Sequence, residues 1–187
     1  QFHDFELLTE LGRGAFGKVF LARQVSLDRQ VAIKVTANQG GEAVTMASLE
    51  HDNIVKVFAE DVDADLNLRL LCMQYVPGAT LGFVVDFLAG DGTESPSGQR
   101  IIEAVDRGAK GPAILQAAAL TEREQLNSFD HVEAVAWLGA CLADALEHAH
   151  QHGVLHRDIK PDNILISQFG RPHLADFNLS IDPREVG

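Results

Sequence analysis

The sequence predicts an α+β chain in two parts: a strand-rich first part with one helix, and a mainly helical second part. Three observations predict it. Between residues 5 and 76 short β-branched and aromatic runs alternate with Gly- and Asp-rich turns, enough for five antiparallel strands. Between residues 131 and 152 apolar residues recur at three- and four-residue steps, the period of a helix. A polar octet, residues 156–163, then separates that helix from a short apolar hairpin. The division falls near residue 76, giving parts of 1–76 and 77–187.

Composition narrows the class. A chain of 187 residues can bury one good core or form one small two-lobed domain, and 46% hydrophobic residues make it globular. A formal net charge of −12 argues against a nucleic-acid-binding surface and fits basic peptide substrates weakly. Cys72 and Cys141 sit in apolar runs and read as small buried hydrophobes, so a reducing compartment is expected. No apolar run approaches a membrane span and no signal peptide is visible. The chain starts at Gln1, not Met, and reads as a piece of a longer protein.

The first strand, residues 5–11, leads into Gly12-Arg13-Gly14-Ala15-Phe16-Gly17, and a second strand follows at 19–22. The glycines therefore lie in a strand-turn-strand hairpin. A dinucleotide-binding fold would place a helix after them instead. Glycines let backbone N–H groups approach phosphates closely. Residues 30–35 are a third strand, with Lys34 inside an apolar run, where an ammonium needs a partner. Glu42 opens a helix over 42–49 and is the candidate partner; an acid at a helix start is also favoured for its own sake. Residues 55–60 and 68–73 pair as two more strands around a turn at 61–67, and residues 74–78 link the two parts.

The second part opens with a short helix at 80–88. Residues 90–128 read as an irregular insertion with one short amphipathic helix at 100–105, a surface excursion of no assigned function. Asp130 is placed to cap the long helix, whose stripe is Val135, Leu138, Leu142, Ala145, Leu146 and Ala149; Gly153 ends it. His148, His150 and His152 scatter around a helix at their two-residue spacing and read as surface or packing residues rather than a metal site. A hairpin over 164–175 then delivers Asp176.

The chemistry concentrates in His156-Arg157-Asp158-Ile159-Lys160-Pro161-Asp162-Asn163 and, thirteen residues on, Asp176-Phe177-Asn178. Asp158 can take a proton from a hydroxyl, Lys160 can neutralise a phosphate, and Asn163 and Asp176 offer oxygen ligands to a hard cation such as Mg²⁺. Together with the glycine hairpin and the lysine strand, these motifs resemble the protein kinase family, closest to bacterial serine/threonine kinases of the eukaryotic type. The Asp-Phe-Asn loop is similar to that of planctomycete-type kinases.

The resemblance implies a two-lobed kinase fold and ATP with Mg²⁺ as cofactors. It implies that Gly12, Gly14 and Gly17 cover the phosphates, that Val19, Ala32 and Met73 flank adenine, and that the backbone from Gln74 to Val76 bonds it. Lys34 would hold the α- and β-phosphates and pair with Glu42, although the link between them is short. Asp158 and Lys160 would serve the transfer, and Asn163 and Asp176 would hold the metal. Lys160 two places after Asp158 implies serine and threonine hydroxyls of proteins as substrates, with self-association through autophosphorylation. The expected location is cytoplasmic, with room for a membrane anchor elsewhere in the parent. The resemblance also implies that the chain ends within the activation segment, so that the piece alone is inactive and exposes apolar surface. Asn178 in place of the family's glycine leaves open a pseudokinase that binds nucleotide or acts as a scaffold. A small-molecule phosphotransferase fits the Arg-Asp-x-Lys-Pro context less well.

Overall fold

The computed structural model describes residues 4–14, 17–38, 49–90, 92, 95–112 and 120–177. It resolves into two compact units. The first comprises the described residues of 1–50 and 55–75; the second comprises His51–Ile54 and Val76–Phe177.

The first unit is built on strands β1 (Phe5–Gly14), β2 (Gly17–Gln24), β3 (Arg29–Ala37), β4 (Val57–Asp63) and β5 (Leu68–Gln74). Among the described residues they form one antiparallel sheet in the order β1-β2-β3-β5-β4. Cross-strand partners share a face, so the register sorts the side chains. Gly12, Val19, Lys34 and Leu71 follow one another across the sheet, beside Leu21, Ala32 and Met73. The opposite face carries Ala22, Val31, Ile33, Leu70 and Cys72, packed with Phe5, Leu7 and Val35. This period-two pattern is why β3 can be apolar on both sides and still present one lysine. Residues 39–48 lie outside the described residues, and with them Glu42 and all but the last residue of its expected helix.

The second unit opens with β6 (Gly78–Thr80), which pairs with β7 (Ile164–Ser167); β7 in turn pairs with β8 (Pro172–Leu174). Four helices surround this small sheet among the described residues: α1 (Leu81–Gly90), α2 (Gly98–Gly108), α3 (Leu120–Ser128) and α4 (His131–Gln151). The core joins Val84 and Leu88 of α1, Ile101, Ile102 and Val105 of α2, Leu126 of α3, Ala134 and Leu138 of α4, and Ile166 of β7. Two expectations are corrected here. The stretch expected as an insertion is more than a surface excursion: α2 is longer than the expected 100–105 helix and packs its apolar face, Ile101, Ile102, Ala104 and Val105, into the core. α3 stands where no helix was expected, because its apolar pattern is weak and its burial rests on Leu126.

The cap at Asp130 forms as expected. Its carboxylate accepts from the Glu133 N–H (2.9 Å), and the Glu133 carboxylate accepts from the Asp130 N–H (3.0 Å). Gly153, at φ 74°, ends α4. The buried stripe is Ala134, Leu138, Ala145 and Ala149, while Val135 is 53% exposed. The expected stripe therefore holds at Leu138, Ala145 and Ala149, with Leu142 and Leu146 half-buried, and departs only at its start, where Ala134 rather than Val135 faces the core. Trp137 packs on Phe129 beside the core. Cys72 is buried as expected, but Cys141 is only half-buried; both thiols are free. No helix among the described residues is long and apolar enough to cross a membrane.

Candidate active site

In the second unit the polar octet leaves α4 as an extended loop and closes in a 3-10 turn, Pro161–Asn163, that feeds β7. Proline starts that turn, where a missing N–H costs nothing. The turn aims Asn163 back at Asp158. The Asn163 Nδ2 donates to the Asp158 backbone carbonyl (2.8 Å) and to its Oδ2 (2.9 Å). Lys160 Nζ donates to the same Oδ2 (2.7 Å). Among the described residues both donors hold one oxygen of the carboxylate, and Oδ1 has no partner. The bond from Lys160 is the largest cause holding the Asp158 carboxyl below the usual carboxylate range; burial opposes it, and the bond from Asn163 adds a smaller lowering. The Lys160 ammonium is pushed up in turn, first by Asp158 and also by the charges of Asp162 and Asp176.

His156 ties this loop to the Asp176 segment. It is 2% exposed, its Nε2–H donates to the Ala175 carbonyl (2.9 Å), and its Nδ1 accepts from the Asp158 N–H (3.4 Å). One nitrogen donating and the other accepting defines a neutral imidazole. Burial pushes its pKa down, which keeps it so. Its ring packs on Phe177 at 4.4 Å. The Ala175 N–H donates to the Asn163 carbonyl (2.9 Å), closing the open end of the β7–β8 hairpin. Asp176 follows at φ 58°, and Arg157 lies at φ 62°. Both are left-handed positions that ordinary residues occupy at a cost, and both flank the site. The structure therefore brings Asp158, Lys160, Asn163 and Asp176 to one end of one hairpin.

The first unit holds the other expected residues on its sheet. Gly14 pairs with Gly17 at the mouth of the β1–β2 hairpin. A Cβ at Gly17 would overlap the Val35 carbonyl oxygen, whereas Gly12 and Gly14 face open space. Val19, Ala32, Lys34 and Met73 occupy one sheet face, with Ala32 and Met73 buried and Lys34 half-buried. Gln74 ends β5, and its N–H donates to the Lys56 carbonyl (2.8 Å). A backbone donor to a ligand must therefore come from a later residue, as with Val76. Glu42 and Asn178 lie outside the described residues.

The donor set suits a hard divalent ion. Asn163 commits its side-chain NH₂ to Asp158, so its side-chain carbonyl oxygen and the Asp176 carboxylate are the groups that could ligate such an ion. Among the described residues no three His, Cys, Asp or Glu side chains form a metal cage. Two protein oxygens suit an ion that shares its shell with phosphate and water. His148 and His152 pack ring on ring at 4.4 Å, with His51 5.1 Å from His148.

Two residues escaped the sequence reading. His156 was part of the motif without a role of its own. Asn53 is 4% exposed; its Nδ2 donates to the Pro172 carbonyl (2.7 Å) and its carbonyl accepts from the Leu174 N–H (2.8 Å), holding β8 from the side. A polar residue directly before the apolar Ile54-Val55 was the available signal.

Comparison with known proteins points to one family. A family profile described as "protein kinase domain" matches residues 5–185. The serine/threonine-protein kinase PrkC of Bacillus subtilis is 28% identical over 187 residues, covering 94% of this chain and 22% of that protein. A probable serine/threonine-protein kinase of Dictyostelium discoideum is 30% identical over 177 residues, covering 95% and 32%. The serine/threonine-protein kinase PknK of Mycobacterium tuberculosis is 30% identical over 182 residues, covering 94% and 13%. The chain thus spans a third or less of the length of these relatives.

Proposed function

The chain belongs to the protein kinase domain family, and from that premise we propose that it transfers the terminal phosphoryl group of ATP to serine and threonine hydroxyls of proteins. The observation that carries the reading is the Asp158 carboxylate: ionised, anchored through Oδ2 by Lys160 and Asn163, and open at Oδ1. Oδ1 accepts the proton of the substrate hydroxyl as its oxygen forms the new bond to phosphorus. The bond from phosphorus to the bridging oxygen breaks, and the diphosphate leaves. Lys160 offsets the charge on the transferring group. Little covalent chemistry is asked of the protein, which acts by positioning and by charge.

Asn163 and Asp176 would hold Mg²⁺, which supplies positive charge to the phosphate oxygens. Gly12, Gly14 and Gly17 leave room for a phosphate chain, and Lys34 with Glu42 would position it. Val19, Ala32 and Met73 would flank the base, with the backbone of Gln74 and Val76 along its edge. Residues 1–76 then act as the nucleotide lobe and 77–187 as part of the substrate lobe. The reading carries with it protein substrates, autophosphorylation between copies, and the cytoplasm as the ATP-bearing compartment. Relatives named as serine/threonine kinases support the hydroxyl specificity.

The test uses the full-length protein and follows ³²P from ATP·Mg²⁺ to itself and to a basic protein. Label on serine or threonine should appear and be lost in Asp158→Asn. General-base removal should cost on the order of 10²–10⁴-fold in kcat, with nucleotide binding retained. Nucleotide binding without transfer in the wild type would overturn the reading in favour of a pseudokinase.

A further inference from the structure

The segment between α1 and α4 grips the turn of the hairpin whose other end carries the metal ligands. Two consecutive residues of α3 do so. Glu122 takes Arg171 in a two-pronged pair, Nε to Oε2 at 2.9 Å and Nη2 to Oε1. Arg123 donates to the Gln168 carbonyl, and its other contacts fix it to Asp106 of α2 (3.0 and 2.6 Å). Gly170, at φ 89°, lies so close to Leu126 that a Cβ there would press on the leucine side chain. Arg171 and Glu122 are each only about 30% exposed (28% and 31%), and a forked guanidinium–carboxylate pair is worth more than a single exposed contact. Arg171 also reaches Asp52 at 3.4 Å, but that carboxylate is 82% exposed and adds little.

The hairpin is short. Asn163 directly precedes β7 and Asp176 follows two residues after β8, so about 10–13 Å of paired strand separates the gripped turn from the ligands. Over so short a ribbon a tilt at the turn is a displacement at the open end. Ligands to Mg²⁺ tolerate little displacement, since that ion demands near-ideal geometry.

Resting on the kinase reading above, we propose that α2 and α3 form a brace that sets the Mg²⁺-binding end of the β7–β8 hairpin, with Arg171, Glu122 and Arg123 as positioning residues. The helices α2 and α3 are then part of the working site at a distance.

The experiment uses the full-length protein and reads Mg²⁺-dependent binding of a fluorescent ADP, without turnover. Arg171→Ala and Glu122→Ala should each raise the Mg²⁺ concentration for half-maximal binding about 3–10-fold, below the 10–100-fold loss typical of residues that touch a metal ligand directly. The double variant should lose no more than either single one, because both break one pair. Arg171→Lys, which keeps the charge and loses the fork, should fall between. Glu122→Gln keeps the shape and serves if a truncation does not fold. Arg23→Ala, which breaks an exposed pair with Asp28 on the strand sheet of the first unit, should leave the Mg²⁺ dependence unchanged. An unchanged dependence in folded variants, additive losses, or an equal shift in Arg23→Ala would overturn the brace while leaving the kinase reading intact. A wild type that binds no nucleotide with Mg²⁺ would overturn both.

Discussion

Lys160 and Asn163 donate to the same oxygen of Asp158, and the protonation state of the site follows from that. Hydrogen bonds to the charged form favour it. The acid limb of kcat/KM should therefore lie below the ordinary carboxylate range. Lys160→Ala removes the largest cause of the lowering, so the limb should move to higher pH, and a pH–rate profile of the two proteins checks the direction. His173 obeys the opposite logic. It is 7% exposed, its Nδ1 has no partner among the described residues, and burial, then the nearby Arg171 charge, push its pKa down to about 4; Glu122, Asp52 and a bond to the Asp52 backbone oppose this more weakly. The unfolded chain takes up this proton near pH 6.5 and the folded chain does not. Stability is thus fully present above pH 6.5 and is lost as pH falls toward about 4, by up to ~3 kcal/mol. Urea unfolding between pH 4 and 7 should show this slope, and His173→Leu should flatten most of it. An equal slope in the variant would assign the effect elsewhere, with His156 next in line.

The elements matter through how closely they approach one another. α2 meets α3 at Gly98, whose N–H donates to the Phe129 carbonyl (3.0 Å) and whose Cβ, if it had one, would overlap the Leu126 carbonyl oxygen. The obstacle is backbone, so it cannot swing aside. Gly98→Ala should cost roughly 2 kcal/mol or more, as overpacking of a core does, measured as a lower urea midpoint with an unchanged slope. Gly90→Ala meets nothing within 4 Å and serves as the matched control, with a change within about 0.5 kcal/mol. At this scale the β7–β8 hairpin is the central device. Asn53 bonds it from the side and α3 from the turn, and its open end delivers Asn163 and Asp176.

For the molecule as a whole, metal and fold should be separable. No cage of His, Cys, Asp or Glu exists among the described residues, and the cores of both units are apolar. Chelation by EDTA should therefore abolish phosphoryl transfer while leaving the melting temperature of the nucleotide-free protein within about 1–2 °C, whereas a structural metal would be worth several kcal/mol. A large fall in melting temperature on chelation would show that the ion holds the fold together. The Asp162 and Asp176 charges beside Lys160 must be offset where a phosphate is to bind, here by Lys160 itself and by the cation that Asn163 and Asp176 would hold.

The five strands, the long capped helix and the identity of the chemical groups were legible in the chain alone. Each of these depends on local rules: period two in β3, period 3.6 and an acidic cap in α4, and a short polar loop whose spacing brings Asn163 back to Asp158. Long-range packing alone settles that α2 and α3 belong to the core, and that Arg171, Glu122 and Asn53 hold the hairpin. Those outcomes rest on contacts between residues far apart in the chain, Asn53 with Pro172 and Glu122 with Arg171, and no local pattern encodes a partner 49 or 119 residues away.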